Sequence, residues 1–123
     1  MSAESDSILI STKKMSGIDG DDNAFDLDII AYINTVFMAL YQMGIGPKDI
    51  FSITNEDDTW SEFEEGNNDL RACRTYMAQK VRMQFDPPTS SYVMQALKES
   101  IAESEWRLIH QVEVNRKLGE EMT

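Results

Sequence analysis

The sequence predicts an all-α fold: a small bundle of about four helices, with a long C-terminal helix and an irregular acidic loop that could hold a short hairpin. Three observations lead there. Apolar residues recur at three- and four-residue steps in the segments around 25–43, 70–85 and 93–112, the spacing of one helix face. Between these segments lie Gly, Pro, Asn and Asp, which end helices or turn the chain. The length, 123 residues, suits one domain with a single modest core. The division expected is a helical domain over residues 1–112 and a flexible C-terminal tail over 113–123.

A short helix comes first. In "SDSILISTKKMSGI", Ser5 or Asp6 is a candidate N-cap, and Lys13 and Lys14 sit near the negative C-terminal end. Ile8, Leu9 and Met15 would cover one face, and Gly17 stops the helix. The acidic stretch "GIDGDDNAFD" comes after it, where Asp21 or Asp22 would cap the next helix. That helix, "AFDLDIIAYINTVFMALYQMG", shows the strongest periodicity in the chain. Phe25, Ile29, Ile33, Val36, Phe37 and Leu40 form its stripe, and Ile30, Tyr41 and Met43 widen it. So wide a stripe can meet more than one neighbour. Gly44 and Pro47 end it.

Residues 45–68 mix Gly, Asn and Asp with isolated aromatics. "DIFSI" could be a short strand with "TW" pairing back across "NEDD", and "SEFEE" one helical turn capped by Ser61. In the next helix, capped by Asn68 or Asp69, Leu70, Cys73, Tyr76, Met77, Lys80, Val81, Gln84 and Phe85 mark one face. "DPPTSS" is a stiff corner, and Thr89 or Ser90 caps the last helix, Thr89 being the cap preferred. Val93, Leu97, Ile101, Leu108 and Val112 stripe that helix, while Trp106 and Ile109 lie to one side. A helix this long outruns a small domain, so its end projects.

Charge and motifs exclude several functions. The net charge is −11, and it is uneven: residues 1–69 carry 15 acids and 3 bases, residues 70–123 carry 7 acids and 8 bases. So acidic a surface repels phosphate backbones. What remains is solubility, a basic partner, or a wall that DNA passes without adhering. No run of 18 apolar residues exists, so no membrane-spanning helix is expected. The N-terminus lacks the basic and apolar regions of a signal peptide, which reads as a soluble, intracellular product.

Cys73, the one cysteine, reads as a buried small hydrophobe, and the one histidine, His110, has no nucleophile motif beside it. As a calcium loop beginning at Asp19, the acidic stretch would place Ala24 where glycine is needed and Ile30 where a bidentate acid is needed. Helix capping explains these aspartates better. Phosphate loops, zinc spacings and catalytic elbows are absent, so neither catalysis, metal nor cofactor is expected. Eight methionines suit adaptable packing at an interface.

The order of elements then resembles a family. The joint "KMSGIDGDD", the helix "FDLDIIAYINTVFMAL", the corner "VRMQFDPPTSSYV" and the Trp106–Arg107 pair in "ESEWRL" are similar to the head–tail connector (adaptor, head-completion) proteins of tailed phages, over about residues 7–110. The resemblance implies a structural virion protein at the head–tail interface, assembled in the host cytoplasm. It implies a ring, usually of twelve copies, that binds the portal, receives the stopper or tail-completion protein, and extends a channel through which DNA slides without specific binding. Membrane contact is not implied.

The resemblance also suggests candidate residues. Phe37, Tyr41, Trp106 and Ile109 are candidates for the ring interface, and Arg116, Lys117 and Leu118 for a portal-docking tail. Phe51, Asp57, Asp58 and Trp60 are candidates for a loop facing the tail. The alternative is an acidic DNA mimic that inhibits a host nuclease or DNA-binding protein. It would want carboxylates spaced like phosphates on one face, whereas many here cluster at helix starts and in one loop.

Overall fold

The computed structural model describes residues 6–122. Among these residues five α-helices succeed one another: α1 (Ile8–Met15), α2 (Asp26–Gln42), α3 (Trp60–Glu64), α4 (Ala72–Phe85) and α5 (Ser91–Met122), with a 3-10 turn over Asn68–Arg71 before α4. No strand is present among the described residues, and the fold is all-α as the periodicity predicts.

The helix at the centre is α4. Against it pack α1, α2 and α5. Cys73, Tyr76, Met77 and Val81 are buried in that contact, with Ala78 beside them. From α2 come Ile29, Ile33, Val36, Phe37 and Leu40, and from α1 Ile8 and Leu9. From α5 come Ile101 and Leu108, with Leu97 and Val112 partly covered. Burial on this scale is the main stabilising term for a domain of this size.

Polar clasps fix the helices in register. The Tyr76 hydroxyl donates to Glu105 at 2.8 Å. Gln79 donates to Ser100 at 2.7 Å and accepts from Ser104 at 3.3 Å, joining α4 to α5 twice more. The Ser16 hydroxyl donates to the Ala78 carbonyl at 3.2 Å, fastening the end of α1 to α4.

Several helix ends differ from expectation. Ser7 caps α1, accepting from the Ile10 amide at 3.3 Å, in place of Asp6; Ser5 lies outside the described residues. Met15 points to solvent rather than into the core. Neither Asp21 nor Asp22 caps α2. Phe25 stands at the N-cap without a side-chain bond, and the acids of the first turn are Asp26 and Asp28. The 3-10 turn is capped by Asn67, which accepts from the Asp69 amide, rather than by Asn68 or Asp69. At the start of α5, Ser90 and not Thr89 accepts from the Val93 amide. Val93 itself is exposed rather than part of the buried stripe.

The loop over residues 45–59 contains no hairpin. Its one backbone bridge pairs Thr59 with Ser7. The loop is held from outside instead. The Asn34 amide side chain donates to the Ile53 carbonyl at 3.0 Å and accepts from the Ile53 amide at 2.8 Å. The Ser7 hydroxyl donates to the Glu56 carbonyl at 2.7 Å, and the Ile8 amide to the Asp58 carbonyl at 3.0 Å. Gly46 sits at φ +104°, and a Cβ there would fall 2.7 Å from the Phe63 ring, so the turn requires glycine on both counts.

After the loop, α3 begins one residue before Ser61. Thr59 and Glu62 form its reciprocal capping box. Trp60 and Phe63 turn inward and meet Phe37 and Phe51, with ring centroids 4.9 to 5.9 Å apart. Such edge and tilted contacts add to plain burial.

The long helix shows no break at residue 112. It stays helical to Met122, and what changes is burial: residues 113–121 are exposed. At about 1.5 Å per residue, its 32 residues extend roughly 48 Å.

Candidate functional site

Most of the chemistry-bearing side chains are used internally. Cys73 is fully buried, and desolvation, helped by the charge of Glu64, pushes its thiol from 9.0 up to about 12. Such a thiol is inert. Burial first, and then the bond to Glu105, raises the Tyr76 hydroxyl as well. Glu64, 8% exposed, receives Arg74 through two bonds of 2.7 and 2.9 Å, and the guanidinium lies 5.8 Å from the Trp60 ring centre.

The acidic stretch is organised by its own backbone. Asp19 accepts from the Asp21 amide at 3.0 Å, and Asp22 from the Ala24 amide at 3.1 Å. These are local turns that aspartate forms readily. Asp26 faces inward and binds Lys13 at 2.8 Å. No group of three His, Cys, Asp or Glu among the described residues is placed to hold a metal ion. A cleft between Gly44–Gly46, Leu70 and Leu108–Val112 holds about 160 Å³, and a wider, more open one at the Asp86–Ser90 corner about 310 Å³. The first is smaller than the roughly 300–1,000 Å³ of ordinary ligand sites, and the second only reaches their lower end.

Apolar helix surface faces outward on both α2 and α5. On α2, Leu27, Ala31, Met38 and Tyr41 lie along a single line, all exposed, on the side away from Ile29, Ile33 and Leu40. Leu27 is 85% exposed. On α5, Trp106, His110 and Val114 succeed each other at four-residue steps, with Ile109 and Leu118 alongside, all exposed. The Trp106 and His110 rings stack in parallel, centroids 5.0 Å apart and planes within 4°. Arg107 beside them is braced by Glu103 at 2.7 Å.

The candidate residues divide accordingly. Tyr41, Trp106 and Ile109 are exposed, as an interface requires, but on different helices. Phe37 is not available: at 1% exposure it is the centre of the aromatic cluster. Trp60 is likewise 1% exposed, and its indole N–H donates to Ser11 at 2.9 Å, which removes it from the loop surface. Phe51 is half-buried against Phe37 and Phe63. Asp58 turns inward on its own loop, accepting from the Thr54 amide at 2.7 Å, so of these four only Asp57 is fully exposed. Arg116, Lys117 and Leu118 are exposed on the last turns of α5.

The outward stripe of α2 does not stand out as a separate face in the sequence, although its signal is there. Leu27, Ala31, Met38 and Tyr41 keep helical register with one another and lie opposite the core positions.

No helix among the described residues is long and apolar enough to cross a membrane. A family model described as "Phage connector protein" matches residues 8–115. The chain belongs to the phage connector protein family. The match begins at the first residue of α1 and ends within α5, so it takes in α1 to α4 whole and most of α5. As a member of this head–tail connector family, the chain is a structural component of a bacteriophage particle. No curated protein and no solved structure matches it.

Proposed function

We propose that this connector forms an oligomeric ring between the portal and the tail or stopper, completing the head and extending the DNA channel. Membership of the phage connector family carries the reading. The distribution of charge supports it. A surface with net charge −11 would line a channel without retaining DNA, because like charges repel at short range. On this reading the exposed end of α5, with Arg116, Lys117 and Leu118, docks on the portal, and the exposed part of the acidic loop around Asp57 faces the next protein tailward. Assembly takes place in the host cytoplasm, and the chain performs no catalysis of its own.

The test is a pull-down of the tagged chain from phage-producing cells, with partners identified by mass spectrometry. Portal and tail-completion proteins are expected among the partners. Recovery of a host nuclease or DNA-binding protein with no virion protein would overturn the reading and turn the acidic surface into a DNA decoy.

A further inference from the structure

The inner side of α1 differs in chemistry from those of α2, α4 and α5. Among the described residues the buried polar side chains are Ser7, Thr12, Lys13, Ser16 and Glu64, and the first four lie on α1 or at its two caps. The buried apolar residues of α1 are Ile8 and Leu9 alone. By contrast, α2 buries Ile29, Ile33, Val36, Phe37 and Leu40. Helix α5 meets α4 through Ile101 and Leu108, with Leu97 and Val112 beside them, and has no buried polar side chain among the described residues.

Buried polar groups hold a helix less firmly than apolar ones, because water serves them as well when the helix is away. The Lys13–Asp26 pair is bonded at 2.8 Å, but opening lets both ions hydrate, so its net hold is small. The buried Thr12 hydroxyl has no hydrogen-bond partner in the closed fold and gains one from water on opening. Part of the following loop is tied to α1. The Ser7 hydroxyl donates to the Glu56 carbonyl, the Ile8 amide to the Asp58 carbonyl, and the Trp60 indole N–H to Ser11. Ile53 is held instead by Asn34 of α2. The loop is thus divided between two anchors.

We infer that α1 is a releasable strap. It lifts from α4 as one unit and frees residues 56–60 from their bonds to it, while α2, α4 and α5 stay packed. Segments with few buried apolar side chains open at lower cost than the whole fold. Opening uncovers the sides of α4 and α2 that α1 covers, a surface the closed fold hides. The inference does not depend on the ring reading.

The test is native-state hydrogen exchange on the whole chain at rising, sub-denaturing urea, with the Trp60 indole N–H followed by NMR. Amides across α1 and the Trp60 indole should exchange at one common rate, on the order of tenfold or more above that of Cys73–Val81 in α4. Their rate should rise only weakly with urea, because little surface is exposed. Ile101→Val, at the α4–α5 contact, should quicken exchange in α4 and leave that of α1 unchanged. Exchange of α1 or of the Trp60 indole at the rate of α4 and with its urea dependence would overturn the inference. Equal quickening of α1 and α4 by Ile101→Val would do so too, since α1 would then open only with the whole fold. A rate that falls steadily from Ile8 to Met15 would show fraying of one end in place of a unit, and would also overturn it.

Discussion

Lys13, 1% exposed, has two partners for its ammonium group, the Asp26 carboxylate at 2.8 Å and the Gly20 carbonyl at 3.2 Å. The pair ties the last turn of α1 to the first turn of α2 and folds the acidic stretch between them. Removing one partner strands a buried charge, which is costly. Asp26→Ala should therefore lower stability by about 3 kcal/mol, read as a fall in the urea midpoint. A second test at this scale concerns pH. The folded Cys73 thiol keeps its proton up to about 12, whereas an unperturbed thiol loses it near 9.0. A folded pKa raised above the unfolded one gives stability that is complete below the lower value and lost as pH climbs toward the higher. Urea midpoints should fall as pH rises from about 9 toward 12, less steeply in Cys73→Ala. Tyr76 shifts in the same direction and adds to the slope at its upper end.

Among the elements, the loop over residues 45–59 depends most on distant partners. Asn34 replaces the strand that would otherwise satisfy Ile53, bonding both its amide and its carbonyl. Asn34→Ala should cost about 2 kcal/mol, the penalty of leaving such groups unpaired. Hydrogen exchange should then rise first at Ile53 and spread through the loop. The same loop shows where sequence reading stops. The repeat of Ile29, Ile33, Val36 and Leu40 announces α2 without outside help, because helix periodicity is local. The seats of Ile53 and Trp60 are set by Asn34 and Ser11, respectively 19 and 49 residues away. Acidic neighbours make Trp60 look like an exposed tip, and its indole pocket cannot be seen without the fold. Phe37 misleads for a related reason, since periodicity places it on an apolar face without showing that three aromatic rings enclose it. Cap positions slip by one or two residues because Asp6 and Ser7, or Thr89 and Ser90, are chemically equal candidates and tertiary contacts choose between them.

For the whole molecule, α2 and α5 each bury one side and expose apolar residues on the other. Trp106 is 64% exposed and touches His110 on its own helix. Trp106→Ala should change stability by no more than about 0.5 kcal/mol, with helicity retained by circular dichroism, yet impair incorporation into particles. Loss of both together would return Trp106 to the fold and remove it from the interface. The helix that bears Trp106 has one more property. Its last turns are exposed but already helical, with Asn115 bonded to Asp69 at 3.2 Å near the base of the projecting segment. A partner that grips this end receives a preshaped rod. The ordering entropy a disordered tail would lose on capture has been settled during folding, so docking there should be governed by encounter and charge, and be quick to form and sensitive to salt.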